Sequence, residues 1–343
     1  MLLAWAPCQV PYMLHKATMF SPSGPREAGR KSFLSVSPLH VRLVAGLVIS
    51  AGSLWLLLCG LPVADWLAVL ARLHPAWVLA AVLAAVAAVL VRGWRWGCLV
   101  HAAVPRIEPA TCLGPYLAGS AVNNVLPARA GDVWRLIAVP GDPRRILGTL
   151  ALERGLDVAG VLTLGALGVM VLGLSWWPIA MSVASIAVSG LIVTLCMAHR
   201  WATPMRRRSR QADRIGVVCG VAAPALAAMR DARRKGQLNN AIALTCLAWL
   251  IEAAVFASLA AGLGLGLDPA GAVVTCAAAT LATMIPAAPG HVGTFHLGAA
   301  AGADLAGATL AQGTALALVA HAVLWVATTV LGLGWLVRSA ARR

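Results

Sequence analysis

The chain has 343 residues, of which 60% are hydrophobic and only 11% are charged, and its mean hydropathy is +0.83. This composition excludes an ordinary soluble globular protein. About 20 apolar residues in a helix cross a bilayer core about 30 Å thick, and the chain contains several runs of this kind. Because that core offers no water to backbone groups, the runs must be helices. We therefore predict an all-α integral membrane protein.

The formal net charge of +15 comes from basic residues that gather beside the apolar runs. Basic residues in such positions mark cytoplasmic loops and attract anionic lipids. No soluble nucleic-acid-binding module accompanies them, so binding to nucleic acid is not expected. The eight cysteines are dispersed, without a Cys-x-x-Cys pair. We therefore expect no metal site, disulfide or cofactor.

In chain order, residues 1–38 are rich in Pro, Ser, Gly and basic residues, which predicts a disordered basic cytoplasmic tail. A transmembrane domain is predicted over 39–338, followed by a short cytoplasmic tail at 339–343. Six apolar runs within the domain are predicted to cross the bilayer. They lie at about 41–61, 76–97, 148–174, 178–198, 241–264 and 311–337.

Two further apolar stretches, at about 113–139 and 270–308, carry Gly, Pro and polar residues in their middles. The positive-inside rule places both chain termini in the cytoplasm. With six crossings between them, the two ends of each of these stretches lie on the same side of the membrane. Each is therefore predicted to enter and leave the membrane on one side, as a re-entrant hairpin lined by protein or a wet cavity. The predicted fold is six transmembrane helices plus two re-entrant hairpins.

The two hairpins are predicted to form an inverted repeat. The segment 126–132 can be aligned with 285–291, and each contains a Pro followed four residues later by Gly. Span, hairpin and span over about 76–174 run in the opposite direction to those over about 241–337. Many secondary transporters have this arrangement, and their substrate sites lie where paired broken segments meet.

A strongly basic segment separates the two predicted repeats. Residues 199–235 contain ten Lys or Arg and are predicted to form a cytoplasmic loop. Two alternatives remain open for its middle, at 215–229. It either lies on the membrane as an interfacial helix or belongs to a solvated loop.

Polar side chains inside the apolar segments are the candidates for function, because each is costly in lipid unless it faces a cavity or a partner. Glu153 and Asp157, four residues apart, share one helix face. Glu252 lies near the middle of its span. The candidate substrate-binding residues are Asn123, Asn124, Arg129, Asp132, Arg135, Glu153, Arg154, Asp157, Glu252, Pro286, Gly290, His291, His296 and His321.

Several candidates also have a purely structural interpretation. Glu153, Arg154 and Asp157 would pair with arginines of the first hairpin and hold the bundle together. Asn123 and Asn124 would cap a helix or satisfy backbone groups at the hairpin break.

Polar residues of the other spans also have a structural interpretation. Glu252 and His321 would form a buried pair, while Arg92 and Arg95 are expected to snorkel to the inner interface rather than bind substrate. The chain has no Walker loop, dinucleotide-binding turn, Gly-x-Ser-x-Gly elbow or paired metal-ligand motif. An enzymatic activity is therefore not expected.

Four motifs resemble a known family: Arg-Gly-Trp-Arg-Trp at 92–96, the segment 123–132, Glu153-Arg154 with Asp157, and Pro-Gly-His-Val-Gly-Thr-Phe at 289–295. Over about 40–340 the chain resembles the flippase-like transmembrane family typified by the membrane region of lysylphosphatidylglycerol synthase. The resemblance implies movement of lipids with anionic or aminoacylated headgroups between leaflets. Some members carry a cytosolic aminoacyl-transferase domain, which is not expected in this sequence.

Two residues depart from the family pattern. His296 stands where the family usually has Glu, and His321 stands where an Arg is common. Imidazoles that titrate near neutral pH thus replace a charged pair, so headgroup preference or activity is open to change.

The function expected is a flippase-like transporter of phospholipids or polyprenyl-phosphate-type lipids in the plasma membrane. Arg129, Arg135 and Arg154 are predicted to receive a phosphate, and nearby carboxylates to balance their charge. The alternatives are an accessory subunit or membrane-embedded enzyme of a lipid or polyprenyl-linked glycan pathway, and a purely structural scaffold. The expected partners are anionic membrane lipids. A homo-oligomer and a separate glycosyltransferase or aminoacyl-transferase partner remain open.

Overall fold

A computed structural model of the protein describes residues 38–59, 61–126, 129–208 and 214–342. Within these ranges the regular structure consists of twelve α-helices and one 3-10 turn, with no strand. The all-α prediction is therefore confirmed. The predicted disordered tail lies outside the described residues, apart from its last position.

Six helices form the first half of the described chain. They are α1 (Pro38–Leu58), α2 (Val63–Leu70), α3 (Pro75–Ala103), α4 (Pro109–Val125), α5 (Ala130–Ala138) and α6 (Pro143–Val171). A bend of 86° separates α1 from α2. Proline opens α3, α4 and α6, where its missing N–H costs no helical hydrogen bond. The side chain of Asp142 caps α6 by accepting the N–H of Arg144 at 2.9 Å.

The second half contains the remaining helices. They are α7 (Trp177–Arg208), α8 (Arg214–Arg234), α9 (Gln237–Gly262), α10 (Pro269–Ala282), the 3-10 turn (Pro289–His291), α11 (Thr294–Leu305) and α12 (Leu310–Ala341). Asp268 caps α10 through a 2.6 Å bond from the N–H of Gly271. Thr309 and Gln312 bond reciprocally to each other's backbone N–H groups and start α12 as a capping box.

Five helical segments are long and apolar enough to cross a membrane, and the number rises to six if the bent pair of α1 and α2 forms one span. The five are α3, α6, residues Trp177–Ala198 of α7, α9 and α12. Each of the six predicted spans falls on one of these helices or on α1. The chain is a multi-pass membrane protein.

Each interrupted stretch consists of two helices that pack against each other across a break. In the first, α4 and α5 approach so closely that a Cβ added at Gly131 would collide with the carbonyl oxygen of Gly119. In the second, α10 and α11 meet at Gly298, where an added Cβ would lie 2.7 Å from the carbonyl oxygen of Ala278. Small residues thus allow the paired backbones to touch, as they do in membrane helix pairs generally.

Replacing Gly131 by alanine is expected to destabilise the protein by about 1–3 kcal/mol, because the added methyl must push α4 and α5 apart. Gly190 on α7 is a matched control, since no atom lies within 4 Å of its added Cβ. Its replacement by alanine is expected to change stability by less than about 1 kcal/mol, in the stabilising direction. Thermal unfolding in detergent measures both. Equal effects of the two substitutions would contradict the close contact.

The basic segment at 199–235 is largely helical. Its first part continues α7, and α8 packs against α3, α6 and α7. The contact with α6 is tight, because a Cβ added at Gly148 would collide with the carbonyl oxygen of Ala225. Of the two alternatives left open for 215–229, the structure therefore agrees with a helix.

The long helices α3 and α9 make the most extensive helix contact among the described elements. Around them, α4 packs against α12, and α10 packs against α6. Each interrupted stretch therefore contacts the last long helix of the other half of the chain. Between them lies a core of small and aromatic side chains that includes Trp249, Phe256 and Phe295. This packing brings the polar candidates of both halves toward one region.

Candidate functional site

Two arginines of α3 are held inside the bundle by carboxylates of other helices. Arg95 is 0% exposed and donates to both carboxylate oxygens of Asp157 on α6, at 2.6 and 3.0 Å. It also lies 3.5 Å from Glu153. Arg92 forms an ion pair with Glu252 on α9. The prediction that Arg92 and Arg95 snorkel to the interface is therefore wrong, because buried partners fix them within the protein.

Arg135 on α5 is also enclosed. It pairs with Glu153 and lies 3.5 Å from Asp132. Its guanidinium lies over the rings of Trp96 and Tyr116, 4.1 and 4.6 Å from their centroids, as in cation–π contacts. The pairing expected of Glu153 with an arginine of the first interrupted stretch is confirmed. At 2% exposed, Arg135 offers no open donor to a substrate.

Arg154 on α6 is held more loosely. It donates to both carboxylate oxygens of Asp132, at 2.9 and 3.2 Å, while 41% of its side chain stays exposed. Asn123 donates to Asp132 at 3.3 Å and accepts the backbone N–H of Gly131 at 2.7 Å. The structural role predicted for Asn123, satisfying backbone at the break, is thus confirmed. Arg154 remains partly available to a ligand.

These charges balance, with four arginines against four carboxylates within the described residues. The arginines are Arg92, Arg95, Arg135 and Arg154, and the carboxylates are Asp132, Glu153, Asp157 and Glu252. Asp157 bonds to α3 rather than to the first interrupted stretch, contrary to the expectation. The eight paired side chains therefore carry no net charge, and one further cation remains in the region.

That cation is Arg129, at the N-terminal end of α5. Its backbone is in the left-handed region, at φ 54°, and its side chain is exposed. No hydrogen bond or ion pair joins the side chain of Arg129 to another residue of the part of the chain that the structure describes. Because its neighbours are balanced, Arg129 gives the region a surplus positive charge.

Arg129 lines a cavity of about 330 Å³ between α5 and α6. Arg154 and Asp132 complete its polar end. Its other walls are apolar and consist of Val133, Leu136, Leu147, Leu150 and Ala151. The cavity is therefore amphipathic, with a cationic end beside a hydrocarbon surface. We call it the Arg129 pocket.

The second interrupted stretch meets the first at its break. A Cβ added at Gly290, in the 3-10 turn, would lie 3.3 Å from the carbonyl oxygen of Asn124 and 3.2 Å from the indole nitrogen of Trp325. The side-chain amide of Asn124 donates to the hydroxyls of Thr328 and Thr329 on α12, at 2.8 and 2.9 Å. Asn124 therefore joins α4 to α12, whereas it was expected to cap a helix or satisfy backbone groups at its own break. The breaks of the two stretches therefore lie against each other.

Two histidines lie behind this turn. His321 donates through Nε2 to the carbonyl oxygen of Gly290 at 2.8 Å, and Nδ1 of His296 accepts the N–H of Gly293 at 3.2 Å. Their rings pack edge to face with centroids 4.6 Å apart. The expected buried pair of Glu252 with His321 is wrong, since an arginine holds Glu252. Both histidines support the backbone of the second break.

Two candidates lie at other points of the second break. Pro286 is exposed in the connection between α10 and the 3-10 turn. His291 ends the turn, with φ 58°, and its buried Nδ1 has no hydrogen-bond partner among the described residues. His291 thus remains the polar group of this break whose role the local structure does not explain.

The sequence prediction missed Arg95, Trp96 and Tyr116 as part of this region. Arg95 lies eight residues before the end of α3 at Ala103, or about 12 Å inside the helix. The two carboxylates on one face of α6 were the available signal, because each requires a buried cation as a partner.

Residues 43–332 match the family model described as the lysylphosphatidylglycerol synthase TM region. All candidate residues lie within this range. Searches among curated proteins and among solved structures found no significant match.

Proposed function

The chain belongs to the lysylphosphatidylglycerol synthase transmembrane region family, and on this premise we propose that it moves lipids with anionic headgroups between membrane leaflets. The observation that carries the proposal is the unpaired Arg129 at the cationic end of an amphipathic pocket. Phospholipids and polyprenyl phosphates share the chemistry that fits, since each joins a phosphate to a long apolar chain.

The polar end of the Arg129 pocket suits a phosphate. Arginine donates in pairs to phosphate oxygens, and such charge-assisted bonds are among the strongest that side chains form. Arg129 is free to donate, and Arg154 keeps part of its surface exposed beside Asp132. We therefore assign Arg129 and Arg154 the role of binding the headgroup phosphate.

Arg135 receives a different role from the one predicted. Because Glu153 and two aromatic rings enclose it, Arg135 is assigned to positioning α5 against α6. This fixes the two walls between which the pocket opens. The apolar wall of Val133 and Leu147 then accommodates the first part of the lipid chain.

We further propose that the interrupted stretches are re-entrant hairpins of an inverted repeat. The helix contacts support this. If α3, α4, α5 and α6 are exchanged with α9, α10, α11 and α12 in that order, each extensive contact between the two sets corresponds to another contact that is also present. The contact of α4 with α12 corresponds to that of α10 with α6, and the contact of α3 with α12 corresponds to that of α9 with α6. The pair of α3 and α9 maps onto itself. The headgroup pocket then lies beside the meeting point of the broken segments, where transporters of this architecture bind substrate.

The proposal places the protein in the plasma membrane with both termini in the cytoplasm, in keeping with the basic segments, and assigns it no catalytic step. Reconstitution into liposomes tests it. Fluorescent phosphatidylglycerol is expected to cross the bilayer faster in vesicles with the protein than in vesicles without it, and faster than fluorescent phosphatidylcholine. Movement equal to protein-free vesicles for both lipids would overturn the proposal. Chemical turnover of the lipid without movement would favour the membrane-embedded enzyme instead.

A further inference from the structure

Each interrupted stretch holds one strained residue that is not glycine. Arg129 and His291 have φ values of 54° and 58°, and no other non-glycine residue of the described ranges has positive φ. Glycine adopts this conformation without strain, and seven glycines of the described ranges have it, one of them the neighbouring Gly290. Residues with a strained backbone of this kind concentrate at functional sites.

The two strained residues belong to neighbouring segments of the two stretches. The turn that contains His291 packs against the end of α4 at Asn124, five residues before Arg129. The positive charge of Arg129 also acts on the His291 ring. The side chain of Arg129 has no hydrogen-bond or ion-pair partner among the described residues, and neither has the buried Nδ1 of His291. Each stretch therefore contributes one polar group without a partner to this meeting point.

The surroundings of His291 are cationic or neutral. The charged and titratable groups that face it are Arg129 from the first stretch and His321 from α12, with His296 of α11 packed behind His321. The neutral Asn124 of α4 lies against the neighbouring Gly290. No carboxylate of the described residues is paired with this histidine. A proton on His291 therefore lacks a counter-ion until an anion enters the Arg129 pocket.

We propose that His291 closes the Arg129 pocket from the second stretch, donating a hydrogen bond from Nδ1 to an anionic oxygen of the bound headgroup and taking up one proton from solvent as it does so. The inference rests on the proposed anionic-lipid site and adds a second ligand and a proton linkage to it. The bound anion supplies the counter-ion that His291 lacks. By reciprocity, a proton on His291 strengthens headgroup binding.

The test is a binding titration of the purified full chain with short-chain phosphatidylglycerol, at about pH 8 and about pH 5.5, on either side of the usual histidine pKa of about 6.5. Wild-type affinity is expected to rise about tenfold at the lower pH, the worth of one charge-assisted hydrogen bond. In His291→Gly the affinity is expected to be equal at both values. This variant relieves the strained backbone, so its thermal stability is expected to match or exceed that of the wild type.

Two comparisons separate His291 from its neighbours. His321→Gln keeps a donor toward Gly290 and is expected to retain the pH dependence, as is Arg129→Lys, which keeps the charge. If His291→Gly retains the wild-type pH dependence, or if His321→Gln abolishes it, the proposal is overturned.

Two further outcomes separate this inference from the proposed function. Glycerol phosphate, which lacks acyl chains, is expected to bind more weakly than the lipid, and equal binding would overturn a lipid as the source of the phosphate. A wild type that binds phosphatidylglycerol with the expected pH dependence, yet fails to move lipid, would overturn the transport proposal while supporting the His291 contact.

Discussion

Replacing Arg129 by alanine is expected to lower the transport of anionic lipid about tenfold or more, because one charge-assisted hydrogen bond to phosphate is worth about 1.5–3 kcal/mol. Stability is expected to change by less than about 0.5 kcal/mol, since the side chain is exposed and has no partner among the described residues. Fluorescent phosphatidylglycerol in reconstituted liposomes measures the first effect, and thermal unfolding in detergent measures the second.

Arg338, an exposed arginine near the end of α12, serves as the matched control. Arg338→Ala removes the same charge far along the chain from the pocket and is expected to leave transport unchanged. Arg129→Lys keeps the charge but loses the planar fork, so intermediate transport is expected. If Arg129→Ala transports like the wild type, the pocket is not the headgroup site.

Replacing Arg95 by methionine is expected to destabilise the protein by about 3–5 kcal/mol, because the substitution leaves buried carboxylates without their cation. Arg95 is 0% exposed and holds Asp157 through two bonds. Unfolding of the detergent-solubilised protein measures the loss. Arg338→Met again provides the control and is expected to have little effect.

A second variant, at the partner residue Asp157, tests whether the two charges are coupled. Changing Asp157 to leucine together with Arg95→Met removes both charges, and the double variant is expected to recover part of the stability that the single variant loses. A double variant whose loss equals the sum of the two single losses would show that the pair is not coupled.

The crossing helices could be predicted because each apolar run is as long as a bilayer requires and begins or ends at a local signal. The prolines that start α3 and α6 are examples, at Pro75 and Pro143. The roles of Asn123 and Glu153 also followed from the sequence. An asparagine beside a Pro-containing break is suited to satisfy backbone groups, and a buried carboxylate needs a cation.

The partners of the α3 arginines could not be predicted in this way. Arg92 and Arg95 stand near the end of an apolar run, a position typical of snorkelling side chains. Their carboxylates lie 160 and 62 residues further along the chain. Pairings over such distances depend on which helices pack together, and one sequence does not encode that in any local pattern.

The basic segment before α9 left two structures open for a related reason. Its ten basic residues fit either a loop or an interfacial helix, and small apolar residues lie buried between them on α8. Ala223 and Ala228 are among them, 2% and 1% exposed. Net charge describes which side of the membrane a segment prefers, whereas these buried positions decide that it folds against α6 and α7.

Photo-crosslinking tests the central claim most directly, namely that an anionic lipid occupies the Arg129 pocket. Vesicles would contain the full-length protein and a phosphatidylglycerol with a photoactivatable group near the head of its acyl chain. Adducts are expected at Val133, Leu136, Leu147 and Leu150, the apolar lining of the pocket, with a marked loss of these adducts in Arg129→Ala. Adducts confined to other surfaces, or equally abundant at these positions in Arg129→Ala, would contradict this claim.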